Sequence, residues 1–303
     1  MLNIYTDKLI YDNRQNHLYW TANGVDFGSI DYKVNQDQQF QLDYRIPADL
    51  KFSDYKTEVQ NALIKLYNTH KKTLAVCVSG RDSEIIIREA AKLGIPCKMY
   101  FLDLWGMNKW MLDIITSISE EIGVELCTVY LSEKECFEEV IFKSYKIMSA
   151  IKPTYLCLPY LFENIPEDEF IIVGEGDLAK DNPAFKKYFG PKSTGGIPML
   201  STEIVYRMWA QENLRYGEFY FHSSTPELVL SAYNDPLFKI SPPSLITSQM
   251  IEHYWPELKF KIKSLNWEEG PEKNKLIRDI LFNLGIQKEQ VAGCIVPHSS
   301  VVR

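Results

Sequence analysis

From residue 1 to about residue 50, apolar and polar positions alternate in short runs. Lys8-Leu9-Ile10-Tyr11 and His17-Leu18-Tyr19-Trp20 flank the turn-forming stretch Asp12-Asn13-Arg14-Gln15-Asn16. A period of two bounded by turn formers predicts a β-hairpin. A second hairpin is expected around Val25 to Asp31 and Phe40 to Tyr44. Such a segment is too small to build its own core, so its aromatic side chains must pack on the remainder of the chain. Ile46-Pro47 breaks the pattern. From Ser53, read as an N-cap, Tyr55, Val59, Ala62, Leu63 and Leu66 recur at helical spacing and predict a helix to about His70.

The rhythm then changes. Thr73-Leu74-Ala75-Val76-Cys77-Val78 is a continuous apolar run, the pattern of a strand covered on both faces. Glu84 to Leu93 has helical character and ends at Gly94-Ile95-Pro96. Cys97 to Leu102 predicts a strand, Asn108 to Ile122 a helix closed by Gly123, and Val124 to Leu131 a third strand. Ser132 with Glu135 three positions on has the form of a capping box opening a helix to about Ala150. Phe170-Ile171-Ile172-Val173 predicts a fourth strand. Strand and helix in regular alternation imply an α/β fold, a parallel sheet with helices on both faces, whose ligands sit outside the carboxyl ends of the strands.

Beyond Gly174 the order weakens. Asp177 to Met199 contains Gly190-Pro191, Gly195-Gly196 and Pro198 and reads as a long loop or lid. Helices are expected at Thr202 to Asn213, Pro226 to Tyr233, Leu245 to Tyr254 and Lys273 to Leu284. The resulting division is a β-hairpin extension (1–50), an α/β core (51–200) and a helical C-terminal part of the same unit (201–303).

With 303 residues, 46% of them hydrophobic and 24% charged, the chain has the make-up of a soluble globular protein. No stretch approaches the roughly 20 apolar residues that span a bilayer, and the first residues lack a basic region followed by an apolar one; a cytoplasmic protein without membrane partners is expected. Six scattered cysteines, including Cys77, Cys127, Cys136 and Cys157, contain no CxxC pair, and most sit in apolar surroundings as small hydrophobes. The five histidines are far apart in sequence, which gives a structural zinc site little support. A net charge of -7 opposes non-specific binding to nucleic acid, which needs an excess of Lys and Arg, and leaves a local basic patch as the one means of such contact.

Candidate chemistry concentrates in Ser79-Gly80-Arg81-Asp82-Ser83. A buried strand that turns through glycine into a helix aims backbone N–H groups and the positive end of the helix dipole at one point, which suits an anion. Ser79 and Ser83 can donate hydroxyl hydrogen bonds to it. Arg81 can add a charged fork or point to solvent. Asp82 makes sense as a magnesium ligand or as a brace of the turn. The same residues also suit an ordinary βα connection with Ser and Asp as caps.

This segment resembles the PP-loop signature SGGxDS of the ATP-pyrophosphatases, in the adenine-nucleotide α-hydrolase superfamily, and most closely the C-terminal domain of asparagine synthetases. It differs in being one residue shorter than that hexapeptide. Ile171-Ile172-Val173-Gly174-Glu175-Gly176-Asp177 is similar to the strand followed by GEG(S/A)DE in those enzymes. Gly174 and Gly176 let the backbone approach a ligand, and Glu175 and Asp177 can hold magnesium or act as base toward an amine; solvated carboxylates on a glycine turn are the plain alternative. Lys273-Asn274-Lys275-Leu276-Ile277-Arg278 resembles the helix that brings a lysine to the pyrophosphate. An ungapped match on Arg278 puts that lysine at Asn274, so Lys273 or Lys275 stands in. An exposed helix with solvated lysines fits equally. Phe221 to Val229 is a weaker echo of the segment before the family's Pro-Glu-Leu-Val helix. Asp103 to Asn108 follows the second strand, where the family binds adenosine, so the resemblance implies Leu102 and Asp103 as contacts to base or ribose; a loop with Trp105 packed on the core is the alternative. Lys180, Lys186, Lys187 and Lys192 lie in the lid, facing an acidic substrate or solvent.

The resemblance spans roughly Leu74 to Leu284 and implies a Rossmann-like PP-loop fold that uses ATP and Mg2+. It further implies a reaction in which a carboxylate or amide oxygen of a small-molecule or peptide acceptor is adenylated, pyrophosphate leaves, and ammonia or an amine from outside the chain displaces AMP. The glutaminase domain of asparagine synthetases is absent from the sequence. Two other readings are a sulfur-transferring or tRNA-modifying PP-loop enzyme, with Cys157 or Cys127 as sulfur carrier, and a nucleotide-binding or interaction protein that has lost catalysis.

Overall fold

The computed structural model describes residues 8–12, 17–22, 25–31, 50–106, 108–136, 140, 157–174, 206, 209–210, 213–219, 221–237 and 246–260. The described residues include two sheets. Strands β1 (Lys8–Asp12), β2 (His17–Ala22) and β3 (Val25–Asp31) form an antiparallel meander in the order β1-β2-β3. The first hairpin is where the alternation places it, with Lys8 opposite Thr21 and Asp12 opposite His17. The expected second hairpin is corrected in part: β3 pairs back onto β2, with Trp20 opposite Gly28 and a register shift between Trp20 and Thr21. Its expected partner around Phe40 to Tyr44 lies outside the described residues.

Helix α1 (Tyr55–His70) leads into the second sheet. Its cap is Asp54, one residue past the expected Ser53, because the Asp54 carboxylate accepts from the Thr57 amide at 3.0 Å and the Thr57 hydroxyl at 2.7 Å. The Ser53 amide instead donates to Glu58 Oε1 at 2.6 Å. Tyr55, Val59, Ala62, Leu63 and Leu66 are all buried, which is the stripe the spacing predicts.

The larger sheet contains β4 (Leu74–Cys77), β5 (Cys97–Leu104), β6 (Leu126–Leu131), β7 (Phe170–Val173) and the two-residue β8 (Gly217–Glu218). Its order is β6-β5-β4-β7-β8 and every pairing is parallel. Helix α2 (Arg81–Lys92) joins β4 to β5, α3 (Lys109–Ile122) joins β5 to β6, and α4 (Leu158–Glu163) precedes β7. The chain steps from β4 outward to β6 and then returns across β4 to β7. Right-handed crossovers therefore put α2 and α3 on one face and α4 on the other. β4 and β7 sit side by side in the middle with every residue buried, so a continuous apolar run is what each position requires.

The ends of the elements follow local chemistry. Gly123 closes α3 at φ 68°, a left-handed conformation that glycine adopts without strain. The capping box after β6 is present: the Glu135 amide donates to Ser132 Oγ and the Ser132 amide to Glu135 Oε2, each at 3.2 Å. The helix expected from there to Ala150 falls mostly outside the described residues. α5 (Pro226–Asn234) and α6 (Ile246–Tyr254) match expected helices within a residue, with the Thr225 hydroxyl capping α5 through the Leu228 amide at 3.1 Å. Neither α4 nor β8 was expected.

One feature of α2 runs against its polar appearance. Glu84, Arg88 and Glu89 are buried because the segment Trp255 to Phe260 lies over them. Glu84 accepts from the Lys259 amide at 2.8 and 3.0 Å, from the Phe260 amide at 2.9 Å and from Arg88 Nε at 2.8 Å. Glu89 accepts from Trp255 Nε1 at 2.7 Å and from Gln60 at 2.6 Å. Buried carboxylates need such partners, and here the C-terminal chain supplies most of them.

Candidate functional site at the carboxyl edge of the sheet

Connections on β4 lead toward β5, whereas β7 lies on the opposite side of β4. The strand order therefore reverses between β4 and β7, and in an open parallel sheet the crevice outside the carboxyl ends at such a point is where ligands bind. Ser79-Gly80-Arg81-Asp82-Ser83 follows β4 there and Gly174 follows β7.

The turn after β4 is knotted by Ser83. Its Oγ accepts from the Ser79 amide at 3.1 Å and the Gly80 amide at 3.2 Å, and donates to the Gly80 carbonyl at 2.9 Å. α2 starts immediately, with Gly80 as N-cap and the Glu84 amide bonded to the Gly80 carbonyl at 3.0 Å. By helix geometry the first-turn amides, those of Asp82 and Ser83 among them, have no acceptor in a preceding helical turn, and the positive end of the helix dipole lies at this edge of the sheet. Gly80 has an extended backbone (φ 175°, ψ -167°), and a Cβ placed on it would meet nothing within 4 Å. Neither conformation nor packing requires glycine here, so the open space beside it is the site's own. Gly174 is the opposite case: a Cβ there would stand 2.7 Å from the Ser83 nitrogen and 3.0 Å from the Asp82 carbonyl carbon.

Arg81 and Asp82 are half-buried neighbours, with Arg81 Nε 3.6 Å from Asp82 Oδ1. Behind them stands His222, which is 2% exposed. His222 Nδ1 is 2.8 Å from the Tyr55 hydroxyl, and Nε2 is 3.1 Å from the Asp82 carbonyl oxygen. A carbonyl only accepts, so Nε2 carries the proton and Nδ1 accepts from Tyr55. Burial lowers the imidazole below its ordinary value, with the Asp82 carboxylate opposing, and the ring is neutral. Burial, followed by the Asp82 charge, pushes the Tyr55 hydroxyl well above its ordinary value and keeps it a donor. The sequence pointed to the segment around His222 but not to this contact; a lone histidine in an apolar run was the one signal.

At the end of β5, Leu102 and Asp103 are tied into their own loop. The Leu102 carbonyl accepts from Asn108 Nδ2 at 2.7 Å, and Asp103 Oδ1 accepts from the Gly106 amide at 2.8 Å. Trp105 is half-buried against the core. Cys157 lies beside Cys136, their sulfurs 3.4 Å apart and both buried. The Cys136 contact and burial push the Cys157 thiol well above its ordinary value, and burial raises that of Cys127. Glu175, Gly176, Asp177, Lys273, Lys275, Arg278 and the lid lysines lie outside the described residues. The structure therefore brings together Ser79, Gly80, Arg81, Asp82, Ser83 and Gly174, adding His222 and Tyr55. Among the described residues, no three His, Cys, Asp or Glu side chains cluster as a metal site, and no helix is long and apolar enough to cross a membrane.

No family model matches the chain, and no curated protein matches it in sequence. Among solved structures it is similar to the NMN synthetase of Francisella tularensis, with 15% identity over 82% of this chain and 100% of that one and a TM-score of 0.34. It is similar to the NH3-dependent NAD synthetase of Campylobacter jejuni, with 12% identity over 71% and 94% and a TM-score of 0.32. A tRNA thiolase of Methanococcus maripaludis shares 14% identity over 68% and 80%, with a TM-score of 0.29.

Proposed function

We propose that this chain binds the phosphates of ATP between β4 and β7 and uses the nucleotide to adenylate a carboxylate or amide oxygen, with pyrophosphate as leaving group. The observation that carries the reading is the meeting of a helix N-terminus with an open glycine at the reversal of strand order. Amides and the dipole of α2 stabilise negative charge there, and the space beside Gly80 admits a phosphate. Arg81 offers charge to the phosphates. Magnesium is commonly held by one or two carboxylates together with the phosphates of the substrate, and Asp82 in the first turn of α2 supplies one such carboxylate. The chain's contribution is to position the reactants and to stabilise charge on the departing pyrophosphate.

In the same reading Glu175, Asp177, Lys273, Lys275 and Arg278 complete the site, Leu102 and Asp103 lie on the adenosine side, and the nucleophile is ammonia or an amine. Sulfur transfer draws less support, because a sulfur carrier works as a thiolate and the Cys157 and Cys127 thiols are both raised.

Titration calorimetry with ATP and magnesium, compared with AMP and pyrophosphate, tests the reading. Binding by the wild type that is lost in folded Ser79→Ala/Asp82→Ala protein is the expected result and justifies screening carboxylates and amines for pyrophosphate release. Equal ATP affinity in the folded double variant overturns the site.

A further inference from the structure

The first turn of α2 is held from two directions. Gly174 allows β7 to come within contact of the peptide joining Asp82 to Ser83, and His222 reaches the carbonyl of that same peptide from the opposite end. We infer that His222, fixed by Tyr55, is a positioning residue of the phosphate loop: it sets the orientation of the Asp82–Ser83 peptide and so the direction in which the loop's amides face the anion.

A peptide unit is planar and trans, so its C=O and N–H point in opposite directions and fixing one fixes the other. A helical carbonyl has a second lone pair beyond the one used within the helix, which His222 Nε2–H occupies at 3.1 Å. The ring cannot exchange this role for another, because Tyr55 at 2.8 Å occupies Nδ1 and the site is closed to water. Tyr55 is the first residue of α1, and His222 lies in a short helical turn, Phe221–Ser223, ahead of α5. The chain thus ties two separated segments to one peptide of the loop through two side chains. Hydrogen bonds between groups this deeply buried are costly to leave unmade, which gives the arrangement its rigidity.

The inference rests on the phosphate-binding reading, and the experiment separates the two. Affinities for inorganic pyrophosphate, ATP with magnesium, and AMP are measured by calorimetry at one pH for the wild type, His222→Phe, His222→Gln and Tyr55→Phe. Phenylalanine keeps the ring and loses both hydrogen bonds; glutamine can place an N–H near the position of Nε2. The expected result is a loss of roughly tenfold in pyrophosphate and ATP affinity for His222→Phe, on the scale of one buried hydrogen bond, with AMP affinity unchanged and with recovery in His222→Gln. General damage to the fold would weaken AMP equally and would overturn the inference. Failure of the wild type to bind ATP and pyrophosphate overturns the phosphate-binding reading and the inference with it. Binding that is as tight in His222→Phe as in the wild type overturns the inference alone. Nitrogen NMR of the wild-type ring needs no substitution: a proton on Nε2 is expected, and a proton on Nδ1 overturns the inference whether or not any variant folds.

Discussion

Gly174 and Ser83 are in such close contact that a single added carbon would not fit between them: a Cβ on Gly174 would stand 2.7 Å from the Ser83 nitrogen and 2.9 Å from its Cα. The three nearest atoms are backbone, which cannot swing aside as a side chain does. Gly174→Ala must therefore part β7 from α2 or tilt the turn. The expected outcome is a loss of about 1–3 kcal/mol of stability, as for other overpacked sites, together with weaker ATP binding. Urea denaturation and calorimetry measure the two, and an unchanged unfolding midpoint would show that the contact is not made in solution.

Gly80 gives the reverse prediction. Its extended backbone suits any residue and its missing Cβ borders open space. Gly80→Ala is expected to leave stability unchanged or to raise it slightly, by up to about 1 kcal/mol through the unfolded chain, while weakening phosphate binding because the methyl occupies the cradle. A variant that binds ATP as tightly as the wild type would mean that the phosphates do not lie beside Gly80.

These two glycines show what the sequence could and could not convey. The strands Leu74–Cys77 and Phe170–Val173 were legible because burial on both faces demands an unbroken apolar run, and the turn after the first was legible because a glycine between serines ends that run and leads into a helical pattern. Nothing local revealed that Gly174 is pressed against Ser83 while Gly80 is not. β8 is two residues long, too short for any period. Nothing in the helical pattern of Glu84 to Leu93 shows that Glu84, Arg88 and Glu89 are buried, because the segment that covers them lies about 170 residues further along the chain. His222 had no partner within reach in sequence; Tyr55 is 167 positions away.

Glu121 carries a pH dependence. Hydrogen bonds from Arg88 and then Lys259 hold its carboxyl down to about 2, from an ordinary value of 4.5. The unfolded chain therefore takes up a proton as the pH falls past 4.5, whereas the folded chain resists until near 2. Stability from this group is complete above the unfolded value and is lost as the pH falls between the two. Glu121 is about half exposed, so salt should blunt the effect. Urea midpoints measured from pH 5 to pH 2.5 are expected to fall less steeply in Glu121→Gln than in the wild type; parallel curves would place the acid sensitivity elsewhere.

Glu84 is the anchor by which α2 holds the chain that continues toward Lys273 and Arg278. Its two oxygens receive the Lys259 and Phe260 amides and Arg88 Nε, and its side chain is fully buried. Glu84→Gln replaces one accepting oxygen with an NH2 group that faces those donors, leaving at least one backbone amide without an acceptor. Breaking a buried, charge-assisted set of this kind costs about 2–4 kcal/mol. Because Arg88 keeps Glu121 at 2.7 Å, the loss should be concentrated at the docked segment and not spread over the sheet. Hydrogen exchange reads this directly: the Lys259 and Phe260 amides should exchange much faster in Glu84→Gln, while those of Leu74 to Cys77 keep most of their protection. Equal loss of protection in both places would mean that Trp255 to Phe260 unfolds together with the sheet, so that the clamp stabilises the whole fold and does not merely position its C-terminal chain.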